Sequence, residues 1–156
     1  MKFTLEWLKE FLDTSASVGE ISDKLNQIGL EVDDITDKAS ELKDFNCVLV
    51  QEVKKHPESE HLNVCTVLKS DGCVLQIVCG APNVKSGIKS ILCPVGSTVP
   101  GLGVKITKSK IRGVESCGML CSEKELGLGD DENGIIVLPD DVPLGKNIAD
   151  IKGLDD

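Results

Sequence analysis

Apolar and polar positions follow two different rhythms along this chain. From residue 4 to residue 29 the rhythm is helical. Leu5, Leu8, Phe11 and Leu12 share one face with Trp7 beside them, and Thr4 is placed to cap their start. Ser17 with Glu20 three residues on makes a capping box for a second helix, although Gly19 weakens its first turn. Ile21, Leu25 and Ile28 follow at helical spacing, and Gly29 is the expected stop. Leu30 to Ile35 then alternates as a strand does. Residues 1–40 therefore read as helix, helix, strand, too little to form a core without a cover. Asp37 to Asp44 is polar and reads as a linker.

After that the rhythm is that of short strands. Cys47 to Val53 is strongly β, and Pro57 ends it in the loop His56 to His61. Val64 to Lys69 and Cys73 to Val78 flank the hairpin turn Ser70-Asp71-Gly72. Gly80 to Asn83 is a loop, Ile91 to Val95 a strand, and Gly96 to Gly101 a turn. In the stretch Val104 to Gly127, Val104, Ile106 and, after a break in phase, Ile111 are apolar, while Lys105, Lys108, Lys110 and Arg112 are cationic. This predicts one half-buried strand with a wet cationic face. Gly113, Ser116, Gly118, Met119 and Leu120 form a flexible bend, and Ser122 with Glu123 and Glu125 predicts a short helix. Asp130 to Gly134 is a turn, and Ile135 to Leu138 a closing strand before Pro139. The expected fold is mostly β. It is an OB-type five-stranded barrel over residues 41–150, preceded by an α+β appendage over residues 1–40.

Composition narrows the partners. Only 3% of the 156 residues are aromatic, with no Tyr, so stacking platforms for single-stranded nucleic acid have almost no side chains available. The net charge of −9 also opposes nucleic acid. Its distribution reopens the question. Residues 1–42 hold four lysines against ten acids, whereas residues 72–114 hold Lys85, Lys89, Lys105, Lys108, Lys110 and Arg112 and no acid. Two readings stay open: a solvated surface with uneven charge, or a cationic face on an acidic body.

Candidate chemistry is sparse. His56 and His61 lie on one polar loop with Glu58 and Glu60, which reads as a solvated loop rather than an acid–base site. Cys79 has no evident base to activate it. No Walker A loop or dinucleotide fingerprint occurs, and Asp130 to Gly134 lacks the spacing of a calcium loop. The seven cysteines show no zinc spacing, and most sit within apolar strand patterns as small buried hydrophobes. With no signal peptide and no membrane-length apolar run, they predict reduced thiols in a cytoplasmic chain. Catalytic and metal sites are expected to be absent.

Five runs together resemble a known family. They are Phe3 to Lys9, Gly29 to Val32, His56-Pro57 with Leu62, Val64 and Cys65, and Gln76 to Val84. The fifth is Lys110 to Ser116 continuing through Gly118 to Ser122 and Glu125 to Leu128. In this order they resemble the N-terminal part of the bacterial phenylalanine–tRNA ligase β subunit. The resemblance implies an OB-type tRNA-binding module, preceded by half of an α/β module that later chain completes, with residues 151–156 beginning the return. It implies that the chain is a piece of a longer subunit, inactive alone. The α subunit of an α2β2 heterotetramer is the implied partner, the parent is a class II aminoacyl-tRNA synthetase using ATP and magnesium, and neither DNA nor membrane is a partner. Asn83, Lys85, Ser116 and Met119 are implied to line the RNA face with Lys105, Lys108, Lys110 and Arg112. Two rivals remain: a module that braces the ligase without touching RNA, and a free-standing OB-type tRNA chaperone.

Overall fold

Thr4 and Ser17 start the two helices through their side chains. In the computed structural model, which describes residues 1–153, Thr4 accepts from the Trp7 amide and α1 runs Leu5–Phe11. Ser17 and Glu20 close a reciprocal capping box on α2, Val18–Gln27. Beyond α2 the Leu30 amide donates to the Leu25 carbonyl and the Gly29 amide to Asn26, with Gly29 at φ 90°. This is a Schellman stop, and it needs a residue that tolerates positive φ. No residue of α1 or α2 is buried. Phe3, Trp7 and Phe11 line up with ring centroids 6.5 and 5.7 Å apart. Among the described residues no helix is long and apolar enough to cross a membrane.

Two expectations for residues 30–45 are corrected. Leu30 to Ile35 forms no strand. A strand exists only where a neighbour takes its backbone groups, and here the Val32 amide bonds the Asn26 side chain instead. The polar stretch after it is not a bare linker. Asp37 caps a one-turn helix α3, Lys38–Glu41, and Leu42 and Phe45 beyond it are both 1% exposed. Their three-residue spacing puts both side chains inward despite polar neighbours.

The core is a curled five-stranded antiparallel sheet. Its strands are β1 (Asn46–Lys55), β2 (Asn63–Leu68), β3 (Val74–Cys79), β4 (Lys89–Cys93) and a short strand at Met119–Leu120. Between β4 and that short strand lie two ribbons: β5 (Thr98–Val99) with β6 (Val104–Lys105), and β7 (Ser109–Ile111) with β8 (Val114–Ser116). Met119–Leu120 is therefore β9, and the sheet order is β3-β2-β1-β4-β9. β1 and β4 are covered on both faces. Val48, Val50, Cys65, Val67, Ile77, Leu92 and Leu120 fill the inside of the curl. Leu42, Phe45, Cys47, Ile91, Cys93, Cys121 and Ile148 pack outside it. Ile148 belongs to α4, Ile148–Lys152. The expected return segment 151–156 begins within α4, and residues 154–156 lie outside the described residues.

The curl brings edge strand β3 against β8 and β9. Gly118 sits at this seam with φ 143°, and a Cβ there would press on the Leu92 side chain and the Cys93 carbonyl at 3.0 and 3.1 Å. The barrel stays open. The expected closing strand Ile135 to Leu138 supplies a single bridge, Leu138 to Lys89. Asn83 holds the start of this segment: its side-chain amide donates to the Ile135 carbonyl at 2.8 Å and accepts from the Ile135 amide at 3.0 Å. Toward the sheet, among the described residues, only the Ile136 and Leu138 amides bond, to the Cys121 and Lys89 carbonyls, each at 2.9 Å.

The helix expected at Ser122 is likewise a single turn. Ser122 and Glu125 exchange capping-box bonds, but the Glu125 carbonyl is taken by the Gly101 amide and Gly127 at φ 69° ends the turn. Gly101 is needed there, because any Cβ would overlap the Lys124 carbonyl.

Asn147 ties the front and back of the module together. Its amide nitrogen donates to the Leu42, Lys43 and Phe45 carbonyls at 2.8, 2.9 and 3.2 Å, and its carbonyl caps α4 at the Ala149 amide. Asn147→Ala removes a cap and orphans part-buried carbonyls, so unfolding free energy should fall by about 2–4 kcal/mol in urea titration. A loss under about 0.5 kcal/mol, the size of an ordinary surface change, would mean water replaces these bonds.

Thiol reactivity should map the same core. Cys73 is exposed and Cys117 half-buried, whereas Cys47, Cys65, Cys79, Cys93 and Cys121 are buried. Burial pushes the Cys65 thiol up to about 12, and Cys121, beside Cys93 and away from water, also lies well above the ordinary thiol range. Alkylation of the native chain, read by mass spectrometry, should label Cys73 first and Cys117 next. The other five should react only on unfolding, and early labelling of Cys65 or Cys121 would contradict this packing.

Candidate nucleic-acid interface

The cationic segment is two pieces rather than one strand. Lys105 ends β6, where it pairs with Thr98. The Ile106 amide and carbonyl bond Ser97 and Gly96, just before β5, and end that ribbon's pairing. The break in phase between Ile106 and Ile111 was the sequence signal for this correction. β7 starts afresh at Ser109 and pairs Ser109 with Ser116, Lys110 with Glu115 and Ile111 with Val114.

The hairpin turn is Arg112-Gly113, with φ 49° and 85°. Positive φ at both positions is the type I′ geometry, whose twist suits a two-residue hairpin. Holding Arg there costs about 1 kcal/mol relative to an open conformation. Its guanidinium donates to the Glu58 carbonyl at 3.3 Å.

Alternation sorts the hairpin's two faces. Ser116 is buried, accepts from the Val78 amide at 3.0 Å and donates to the Gly118 carbonyl. The opposite face carries Lys110 and Glu115, and Lys108 reaches Glu115 at 3.2 Å. The Glu115 carboxylate hydrogen-bonds and attracts Lys108, which raises the lysine's pKa. Lys85, Lys105 and Lys110 are exposed and have no acid partner among the described residues.

The eight expected contact residues therefore have unequal roles. Lys108, Lys110 and Arg112 are gathered on one hairpin, and Lys105 stands on the neighbouring ribbon. Lys85 is exposed in the loop between β3 and β4. Asn83 spends both ends of its amide on Ile135, Ser116 is an internal fastener, and Met119 packs on the core with Cys47 and Ile91. Lys89, counted in the basic stretch, donates inward to the Asp140 and Val142 carbonyls at 2.6 and 2.5 Å.

Residues 56–61 are not a simple solvated loop. His56 is buried, and its Nε2 lies 2.9 Å from the Ile111 carbonyl. The exposed Lys54 and Lys55 precede it at the end of β1. The run Lys54-Lys55-His56-Pro57 carried this signal, since cations stop at a proline-fixed turn. Among the described residues no group of three or more His, Cys, Asp or Glu is arranged to hold a metal.

Comparison with known proteins gives the family. A family model described as "Putative tRNA binding domain" matches residues 45–147. The phenylalanine–tRNA ligase beta subunit of Rickettsia bellii is 51% identical over 156 residues, which is 100% of this chain and 18% of the relative. That of Rickettsia conorii is 50% identical over 156 residues, 100% and 19% respectively. That of Novosphingobium aromaticivorans is 47% identical over 155 residues, 99% and 20%. The chain thus spans about a fifth of the length of the curated relatives it matches. Among solved structures, a MetRS related protein from Pyrococcus horikoshii superposes with a TM-score of 0.52 at 24% identity, covering 74% of this chain and 98% of that one. That likeness concerns the fold: a curled, mostly β, OB-like half-barrel. By the match across its whole sheet and both ribbons, this chain belongs to the tRNA-binding domain family.

Proposed function

We propose that this chain is the tRNA-binding module of a phenylalanine–tRNA ligase β subunit. The observation that carries the reading is half identity along the full chain with such subunits, together with a domain match that spans the cationic hairpin. The module is OB-type, with its barrel left open on one side. It acts within a cytoplasmic α2β2 ligase, and the α subunit performs the aminoacylation. ATP and magnesium belong to that parent chemistry, and no step of it passes through the residues described here. The module's work is electrostatic. Exposed lysines contact phosphates, and each contact releases a counterion from the RNA. Lys105, Lys110 and Lys85 are the strongest candidates because no carboxylate competes for them. Lys108 contributes less, since a phosphate there replaces Glu115.

A bracing role without RNA contact is the second reading. The net charge of −9 and the shortage of aromatic side chains favour it. Salt dependence separates the two. Engagement of about four phosphates gives a slope near −3 in log K against log salt, at roughly 0.7 per phosphate. Replacing Lys108 and Lys110 together by Ala should flatten the slope by about one to two units. Folding should be retained, because exposed lysines contribute little to stability. Replacing Asp140 and Asp141 by Asn should leave the slope nearly unchanged. Parental affinity and slope in the double lysine variant would assign this hairpin away from RNA and favour bracing.

A further inference from the structure

His56 is one of two histidines in the chain, and the phosphate-contact reading leaves it without a task. Its surroundings fix its chemistry. Nδ1 accepts from the Glu58 amide at 3.0 Å, and Nε2 faces the Ile111 carbonyl at 2.9 Å. An amide N–H can only donate and a carbonyl can only accept. The ring must therefore be neutral, with its proton on Nε2. One imidazole then bridges the end of β1 to the turn of the β7–β8 hairpin, 55 residues away in sequence. A second link runs alongside it, from the Arg112 guanidinium to the Glu58 carbonyl. The other side of the hairpin is held by β3, through Gln76 to the Glu115 carbonyl and Val78 to Ser116.

We infer that His56 is a positioning residue for RNA binding: its Nε2–H bond to the Ile111 carbonyl moors the cationic hairpin beside Lys54 and Lys55. This rests on the phosphate-contact reading above. The cations lie on separate elements, Lys55 at the end of β1 beside a Lys54 ion-paired to Glu52 at 3.3 Å, and Lys110 on β7, joined near their ends by this bridge. Without it the hairpin keeps its bonds to β3 and the Arg112 link, but its turn end is loosened and its long lysines must be ordered by the RNA itself. Lys55, exposed one residue before the moored ring, becomes a phosphate contact on the same corner.

The two halves of the imidazole can be tested separately. His56→Gln places an amide nitrogen where Nε2 stands and keeps the donor to Ile111, losing the acceptor for Glu58. His56→Asn keeps an acceptor for the Glu58 amide and loses the reach to Ile111. Unfractionated bacterial tRNA titrated onto each full chain at fixed salt should bind His56→Gln within about twofold of the parent. His56→Asn should bind about 2- to 12-fold more weakly, the worth of one net hydrogen bond. Hydrogen exchange of the hairpin amides should quicken in His56→Asn and stay slow in His56→Gln. In the unsubstituted chain, imidazole nitrogen resonances should show a protonated Nε2 and an unprotonated Nδ1, which requires no variant to fold. A proton on Nδ1, or His56→Asn matching the parent in both exchange and affinity, overturns the assignment. So does His56→Gln as weak and as mobile as His56→Asn. Should the exchange arm hold while neither this pair nor the double lysine variant changes tRNA affinity, the mooring stands and the RNA-facing assignment of the hairpin fails.

Discussion

The outer edge of β3 must find hydrogen-bond partners, and the placement of the later chain depends on how it does so. An open sheet leaves one row of amides and carbonyls unpaired at each edge. Here β8 covers that row with mixed chemistry. The Gln76 carbonyl takes the Cys117 amide at 2.8 Å, the Gln76 side chain takes the Glu115 carbonyl, and the Val78 amide takes the Ser116 hydroxyl. These bonds set the hairpin's distance from the sheet. They also bring the chain back at Gly118, where a Cβ would press on Leu92 and the Cys93 carbonyl and a φ of 143° favours glycine. β9 can then pair with β4 and fill the curl with Leu120.

The same constraint explains why the cations stand where they do. Ser116 is committed to β3, so strand alternation sends Lys110 and Glu115 to the opposite face. Glu115 partly cancels the charge it stands beside, through its ion pair with Lys108. Such exposed pairs contribute little to stability, but they preorganise a lysine at almost no cost to folding. Lys89, by contrast, is consumed inside the fold by two carbonyls. A count of basic residues therefore overstates the cationic face, and the acidic remainder of the chain makes affinity sensitive to salt.

Much of this was legible in local chemistry. Thr4, Ser17 with Glu20, and Gly29 bound the helices through bonds that span at most five residues. Ser70-Asp71-Gly72 makes its hairpin, with Gly72 at φ 83°. The strongly β run from Cys47 to Val53 makes β1. Several of the corrected elements were decided by partners that lie elsewhere in the chain, backbone as well as side chain. Ile135 gives both backbone groups to Asn83, 52 residues away, and the turn at Ser122 loses helical continuation when the Gly101 amide takes the Glu125 carbonyl. Leu42 and Phe45 looked like linker because their polar neighbours masked a two-residue anchor.

Sequence alone determined the capped helices, the antiparallel strand pairs joined by tight turns, the family resemblance and the candidacy of the basic segment. Each of these depends on residues close in the chain or on residue types in a fixed order. Tertiary structure decided which candidates face water. It turned Asn83 and Ser116 into fasteners and Lys89 into an internal donor, and it buried His56 against a carbonyl 55 residues on. The physical reason is that a polar side chain carries the same groups whether it meets a phosphate or an orphaned amide. Only the curl of the sheet settles which of the two lies within reach.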